Sequence, residues 1–243
     1  MLRAVASGSL GRGEHGWLDS HFHFSFAEYY NPENINFGVL RVLNDDIVLP
    51  GTGFDTHPHQ NMEIISYVIE GALSHADSMG NEQTLTRGQV QYMSAGTGVL
   101  HSEYNHGTVP LRFLQIWIFA DANEYPPQYG GQRFRWEDRI DTWLPLATGT
   151  DNQDSAAPIK VHQDINAYAS YLTTDTSLPF AVAKGRQAYL VVAEGKARVD
   201  GIGLHARDAI EITEQDVTVT AEEDAHIVVI EMPLDEQSAQ GNH

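Results

Sequence analysis

Two short pairs of potential metal ligands lie in different parts of this sequence, each with one intervening residue. The first pair is His57 and His59, and the second is His101 and Glu103. Side chains two positions apart on a β-strand point to the same face, so each pair can direct both members into one interior. If the two strands meet, three imidazoles and one carboxylate converge. Such a set binds a divalent transition metal and in octahedral geometry leaves positions free for a substrate or O2.

The composition limits the kinds of site and partner. The chain contains no cysteine, so disulfides and thiolate ligands are excluded and any metal must be held by nitrogen and oxygen atoms. With 33 acidic and 14 basic residues, the formal net charge is -19. A field of that sign repels a phosphate backbone, and the lysines and arginines are scattered, so we expect no direct nucleic-acid binding.

Neither a signal peptide nor a membrane span is predicted. The first residues, MLRAVASGSLGRGEHGW, lack the apolar core of a signal peptide, and no apolar run reaches the length needed to cross a bilayer. We therefore expect a cytoplasmic protein without a membrane partner.

Short apolar runs separated by turn residues predict an all-β chain. Glycine (21 residues) and proline (10 residues) recur between these runs. In the first half the predicted strands cover residues 17–26, 37–49, 62–71, 72–77, 89–95 and 111–120. Helices are expected to be rare, with one helical turn at residues 135–141. This spacing of strands is typical of a β-sandwich or barrel.

The strand pattern stops and then restarts, which predicts two domains. Residues 144–158 (LPLATGTDNQDSAAP) are small and polar without apolar periodicity, and they indicate a linker. Alternating segments return at residues 160–173, 187–212 and 216–232. We therefore predict an N-terminal barrel over residues 1–143, a linker over 144–158 and a C-terminal barrel over 159–243. The last ten residues, 234–243, are expected to be frayed.

The residues around both ligand pairs resemble the two motifs of the cupin family. The first motif contains a glycine, His-x-His, a glutamate and a second glycine. Its counterparts here are Gly51, His57, His59, Glu63 and Gly71. The second motif ends in a glycine, a histidine and an asparagine. Its counterparts are Gly98, His101 and Asn105, while Gly96 stands where the motif has proline.

A closer resemblance, spread over residues 16–165, is to the pirins, a bicupin subfamily, and especially to bacterial pirin-like quercetin dioxygenases. The matching segments are GWLDSHFHFSFAEYYNP, RVLNDD, THPHQNMEIISYVIEG, DSMGN, MSAGTGVLHSEYN, QIWI and KVHQD. The resemblance implies two cupin barrels of the double-stranded β-helix (jelly-roll) type. It also implies one metal ion, bound by His57, His59, His101 and Glu103. Iron is the first expectation, and manganese, cobalt, nickel, copper and zinc suit the same ligands.

Two carboxylates compete for the fourth ligand position. Glu63 lies four residues past His59, an even separation that keeps the same face on a regular strand. Glu103 lies only two residues past His101, so less irregularity can accumulate between them. The residues alone leave the choice open. The pirin resemblance favours Glu103 and gives Glu63 a role in orienting ligands or bonding elsewhere.

The resemblance implies an enzyme, a metal-dependent dioxygenase that opens the central ring of a flavonol such as quercetin with O2 and releases carbon monoxide. Glu103 would be the catalytic base that takes the proton of the flavonol hydroxyl. The alternative belongs to another class, because some pirins are iron-binding regulators that act through protein partners. The same four ligands serve both functions. A pocket without room for a flavonol would favour the regulator.

The remaining histidines have simpler interpretations. His21 and His23 form another His-x-His pair, but phenylalanines alternate with them, which favours a strand with its phenylalanines inward and its histidines outward. Single histidines without a partner at ligand spacing are expected to have structural or surface roles. They are His75, His106, His162, His205 and His226. The second half has no His-x-His pair, so we expect its barrel to bind no metal.

Overall fold

The computed structural model of the chain describes residues 1–234 and is built almost entirely of β-strands. These residues form 22 strands and two short 3-10 turns, Ser7–Ser9 and Trp136–Arg139. The all-β prediction is therefore confirmed, and the second turn falls within the predicted 135–141. No helix in the described part of the chain is long and apolar enough to cross a membrane. The predicted fraying at residues 234–243 lies outside the described residues, apart from Leu234.

The chain divides into two compact units. The N-terminal unit comprises Gly11–Phe134 together with Val161–Gln163. Its strands are β2 (Gly11–Glu14), β3 (Leu18–Phe22), β4 (Leu40–Val48), β5 (Thr52–His59), β6 (Met62–Glu70), β7 (Ala72–Asp77), β8 (Glu82–Thr86), β9 (Val90–Ser94), β10 (Val99–Asn105), β11 (Leu111–Phe119) and β12 (Gln128–Gln132). Each predicted strand of the first half corresponds to one of these. Strands β5 and β10 carry the two ligand pairs, for which strands without stated bounds were expected, while β2, β8 and β12 have no predicted counterpart.

Two antiparallel sheets form the N-terminal unit. The larger sheet has the strand order β12-β9-β6-β11-β4-β3-β2, and the smaller has the order β5-β10-β7-β8. Apolar side chains from both sheets share one cluster, in which Val68 and Phe113 of the larger sheet meet Leu73 and Leu85 of the smaller. Burying these faces against each other is the main source of stability for such a two-layer arrangement.

Within the described residues, the C-terminal unit comprises Met1–Leu10, Arg135–Lys160 and residues 164–234. Its strands are β1 (Leu2–Val5), β13 (Leu144–Gly149), β14 (Ile159–Val161), β15 (Asn166–Leu172), β16 (Ser177–Phe180), β17 (Arg186–Glu194), β18 (Lys196–Val199), β19 (Ile202–His205), β20 (Ala209–Thr213), β21 (Val217–Ala221) and β22 (Ala225–Pro233). They form a seven-stranded sheet, β1-β20-β17-β22-β15-β13-β14, and a four-stranded sheet, β16-β21-β18-β19. The same two-sheet plan therefore occurs twice.

The observed units differ from the predicted boundaries at two places. Strand β1, at the start of the chain, pairs with β20, so the first residues belong to the C-terminal unit. The predicted linker 144–158 begins with β13, which pairs with β15. The sequence of β13 is rich in small residues, and its partner lies about twenty residues further on, so its local pattern does not identify it as a strand.

Candidate metal centre and adjoining cavity

Strands β5 and β10 are paired neighbours, and this pairing brings the two predicted ligand pairs together. His101 lies opposite His57, and Val99 lies opposite His59. On β10 the buried positions alternate, so that His101 and Glu103 both point inward. The register shifts between His101 and Glu103, where three residues of β5 span the length of two on β10. This bulge places Phe54, rather than Asp55, opposite Glu103.

The imidazole rings of His57, His59 and His101 form a compact triangle. Their centroids are 4.5 Å apart for His57 and His101, and 4.8 Å apart for each of the other two pairs. The Nε2 atoms of His57 and His101 are 3.1 Å apart. Nitrogen ligands on one ion at about 2.0–2.1 Å lie about 3 Å from each other. The spacing of the three rings therefore fits a shared metal ion.

The protonation of the rings also suits a metal. Nδ1 of His57 lies 2.7 Å from the carbonyl oxygen of Asp55 and must donate to it, which leaves the Nε2 lone pair facing His101. Burial, followed by the charges of the neighbouring histidines, lowers the pKa of His59 to about 4 and that of His101 to about 3. His59 and His101 are thus neutral at physiological pH, the form in which imidazole binds metals.

Glu103 is held beside the histidines by three neutral side chains. Its Oε1 accepts hydrogen bonds from Ser66 Oγ (2.9 Å) and Gln91 Nε2 (2.8 Å), and its Oε2 accepts one from Gln115 Nε2 (2.7 Å). The carboxylate does not join the group formed by the three histidines. It lies within 4.8 Å of His101 and of a further histidine, His75.

Glu63 lies away from both histidine groups. Its carboxylate accepts hydrogen bonds from Tyr92 Oη (2.5 Å), Ser94 Oγ (2.6 Å) and the backbone N–H of His162 (3.0 Å). The even spacing from His59 does not hold, because the chain leaves β5 at His59 and begins β6, a strand of the other sheet, at Met62. The reversal passes through Asn61, which has a positive φ of 50°.

His75 is a buried member of the site that its sequence context does not identify. Its Nε2 lies 3.1 Å from Asp77 Oδ2, and its ring stacks on Tyr129 with centroids 4.4 Å apart. Strand β7 brings it there, because Glu103 of β10 lies directly opposite His75. The prediction of a structural or surface role rested on the lack of a partner two residues away. The relevant partner comes from the adjacent strand.

A tight turn precedes β10 and requires glycine. Gly96 has a φ of 43°, and a Cβ atom at this position would lie 1.8 Å from the carbonyl oxygen of Tyr125. Thr97 donates its backbone N–H to that same oxygen. The GTG segment (residues 96–98) is therefore a turn that brings the chain into β10 before His101.

A cavity of about 650 Å³ adjoins the histidines within the N-terminal unit. This volume is typical of small-molecule sites. Aromatic side chains form much of its wall, namely Trp17, Phe22, Phe26, Phe54 and Trp117. Polar side chains also line it, namely Ser20, Asn44, Asp46, Gln115, Glu103, His57 and His59. Trp117 packs edge-on against His59, with centroids 4.8 Å apart, so the aromatic wall reaches the candidate metal centre.

The pair His21 and His23 does not follow the predicted outward orientation. His21 is half-buried, but His23 is only 1% exposed. Strand β3 ends at Phe22, so the alternation on which the prediction depended stops before His23. In the C-terminal unit His226 is buried beside Glu194, with Nδ1 3.0 Å from Oε2, which agrees with a structural role.

The fold and the site define an all-β, two-barrel protein with a histidine-rich centre suited to a divalent metal in one barrel. The chain matches the Pirin family over residues 5–118 and the quercetinase C-terminal cupin domain over residues 147–232. It is therefore a bicupin and belongs to the pirin family.

Relatives and solved structures agree with this membership. The chain is 40% identical to a quercetin 2,3-dioxygenase of Escherichia coli K12, with 96% of this chain and 99% of that one covered. It is 43% identical to a pirin-like protein of Caulobacter vibrioides, with coverage of 91% and 95%. The structure of the bacterial pirin YhhW from Escherichia coli in complex with nickel(II) is similar, with a TM-score of 0.89, 35% identity and coverage of 97% and 100%.

Proposed function

We propose that His57, His59, His101 and Glu103 bind one divalent transition-metal ion, and that the protein is a dioxygenase that cleaves the central ring of flavonols such as quercetin. The reaction consumes O2 and releases carbon monoxide. Iron is the first candidate for the ion, and nickel is the next, since a pirin with 35% identity is a nickel(II) complex. When bound, the ion supplies Lewis acidity and a means of activating O2.

The cavity beside the histidines is the observation that carries this proposal. Its volume of about 650 Å³ and its aromatic wall suit a flat, polycyclic substrate. A regulator that acts only through protein partners does not need an aromatic cavity of this size at its metal ligands. The names of the relatives, quercetin 2,3-dioxygenase among them, support the same substrate class.

Glu103 is proposed to act both as a ligand and as the base that removes the proton of the reacting flavonol hydroxyl. It lines the cavity and lies within reach of His101. The bonds from Ser66, Gln91 and Gln115 fix the orientation of its carboxylate. The aromatic wall orients the substrate and excludes water from the reacting edge.

The two barrels are proposed to have different roles. Among residues 1–234, both groups of side chains suited to a metal lie in the N-terminal unit. We therefore propose that the N-terminal unit contains the reactive centre and that the C-terminal unit binds no metal. Metal analysis of a crystal of the loaded protein, by anomalous scattering, tests this division directly.

Aerobic cleavage of quercetin by the metal-loaded protein is the main test. Wild type, with its metal content measured on the same sample, is expected to bleach the flavonol absorbance and to release carbon monoxide. Glu103→Gln is expected to be about 10²–10⁴-fold slower at equal metal content, because the amide cannot take the proton. Glu63→Gln is the matched control. Glu63 is also a buried carboxylate that accepts three hydrogen bonds, but it lies away from the histidines. Its replacement by glutamine should therefore leave the rate per metal ion at the wild-type value.

Two results would reject this reading. If the fully loaded wild type leaves quercetin unchanged in air, as the metal-free protein does, the dioxygenase function is wrong and the iron-binding regulator takes its place. If Glu63→Gln loses as much activity as Glu103→Gln at equal metal content, the assignment of the base to Glu103 is wrong.

A further inference from the structure

A row of polar side chains crosses four adjacent strands of the larger sheet in the N-terminal unit. Asn44 pairs with Gln115, Gln115 with Ser66, and Ser66 with Gln91. Three members of this row hold Glu103. Asn44, the fourth member, forms no hydrogen bond with Glu103. Its side chain is 2% exposed, lines the cavity and makes no hydrogen bond to the rest of residues 1–234.

Asp46 continues this polar strip along β4. It lies two residues past Asn44 and therefore on the same face of the strand. Its side chain is 3% exposed and lines the cavity. Oδ1 accepts a hydrogen bond of 2.5 Å from Ser20 Oγ, and Oδ2 is the second acceptor oxygen of this carboxylate.

Oδ1 of Asn44 is a buried polar atom without a hydrogen-bond partner among residues 1–234. Buried polar groups are almost always paired, and leaving one unpaired costs about 1–3 kcal/mol. Asp45 provides the contrast. It lies on the opposite face of β4 and forms an ion pair with Arg112, with Oδ2 2.5 Å from Nη2. Asn44, with its unpaired Oδ1, and Asp46 lie instead where the sheet meets the cavity.

We propose that Asp46 and Asn44 form a subsite that binds a phenolic hydroxyl group of the substrate, separate from the hydroxyl that reacts at the histidines. This inference rests on the proposed function and names the feature of the substrate that the cavity selects. The phenolic O–H donates to Asp46 Oδ2. The amide of Asn44 can present either its oxygen or its nitrogen by rotation and bonds to the same or a neighbouring hydroxyl. Phe22 and Phe26 supply the aromatic contact.

Binding without turnover tests the subsite. Metal-loaded protein is titrated under anaerobic conditions, at about pH 8, with quercetin and with the parent flavonol, which has no hydroxyl besides that of its central ring. Wild type is expected to prefer quercetin. Asp46→Asn and Asn44→Leu are each expected to reduce this preference about tenfold, the value of one hydrogen bond of about 1.4 kcal/mol, with little change in affinity for the parent flavonol.

Asp45→Asn is the matched control, since it removes a buried carboxylate from the same strand but from the other face. It is expected to keep the preference for quercetin. The inference is wrong if Asp46→Asn and Asn44→Leu both keep the wild-type preference for quercetin over the parent flavonol. It is also wrong if Asp45→Asn loses as much of this preference as they do. Asp46→Asn preserves side-chain volume and an acceptor for Ser20, so it decides the matter if Asn44→Leu does not fold.

Aerobic turnover separates this inference from the proposed function. If wild type cleaves quercetin but Asp46→Asn and Asn44→Leu keep the preference for quercetin, the subsite is wrong and the dioxygenase function stands. If wild type binds hydroxylated flavonols through Asp46 but does not cleave them, the dioxygenase function is wrong and the subsite stands.

Discussion

Asp46→Asn is expected to stabilise the N-terminal unit above neutral pH. Asp46 is 3% exposed, and this burial is the main reason that its pKa is raised from 3.8 to about 7. The hydrogen bond from Ser20 opposes the rise, while the nearby charges of Asp45 and Glu103 add to it. The folded protein therefore resists ionisation of this group, and the native sequence keeps a residue that weakens the fold.

The magnitude follows from the difference between the folded and unfolded states. The unfolded chain releases this proton near its ordinary pKa, whereas the folded protein keeps it up to about pH 7. Between these values the folded state binds more protons, so the free energy of unfolding falls as the pH rises. A difference of about three in pKa corresponds to about 4 kcal/mol. The full decrease in the free energy of unfolding is reached above the pKa of Asp46 in the folded protein. Asparagine does not ionise, so the Asp46→Asn variant does not undergo this decrease.

Urea unfolding of the metal-free protein measures this effect. Tryptophan fluorescence is a suitable signal, since Trp17 and Trp117 line the same cavity as Asp46. Between about pH 5 and pH 8, the free energy of unfolding of Asp46→Asn should rise relative to wild type by about 2–3 kcal/mol. Asp45→Asn should show no such gain, because that carboxylate is paired with Arg112. Parallel pH profiles for wild type and Asp46→Asn would refute a raised pKa at Asp46.

Three further results are expected. His101→Ala should bind metal more than about tenfold less tightly, because a ligand is lost, and full metal occupancy after dialysis would contradict the assignment. Phe113→Ala should lower the free energy of unfolding by about 3–5 kcal/mol while still binding metal, since Phe113 is fully buried in the core between the two sheets. Gly96→Ala should be destabilised by about 1–3 kcal/mol in thermal melts, because its Cβ atom would meet the Tyr125 carbonyl oxygen. Gly130→Ala, with nothing within 4 Å of the added atom, should unfold at the wild-type temperature.

The sequence by itself determined the features that depend on short-range periodicity and on residue type. The alternation of apolar residues predicts an all-β chain, and the spacing of two in His57/His59 and His101/Glu103 predicts that each pair shares a face. The absence of cysteine limits any metal to nitrogen and oxygen ligands. The segments shared with pirins indicate the family. Each of these inferences uses residue types or short segments, and none depends on which distant segments pair.

Only the tertiary structure decided which distant residues meet. The reversal after His59 sends Glu63 into the other sheet, while the bulge in β5 keeps His57 opposite His101. His75 joins the site because β7 pairs with β10, and three strands of the larger sheet supply the side chains that hold Glu103. Likewise, β1 reaches its partner β20 across some two hundred residues. Strand order and register in a sheet are set by the packing of whole faces, and no local pattern records them.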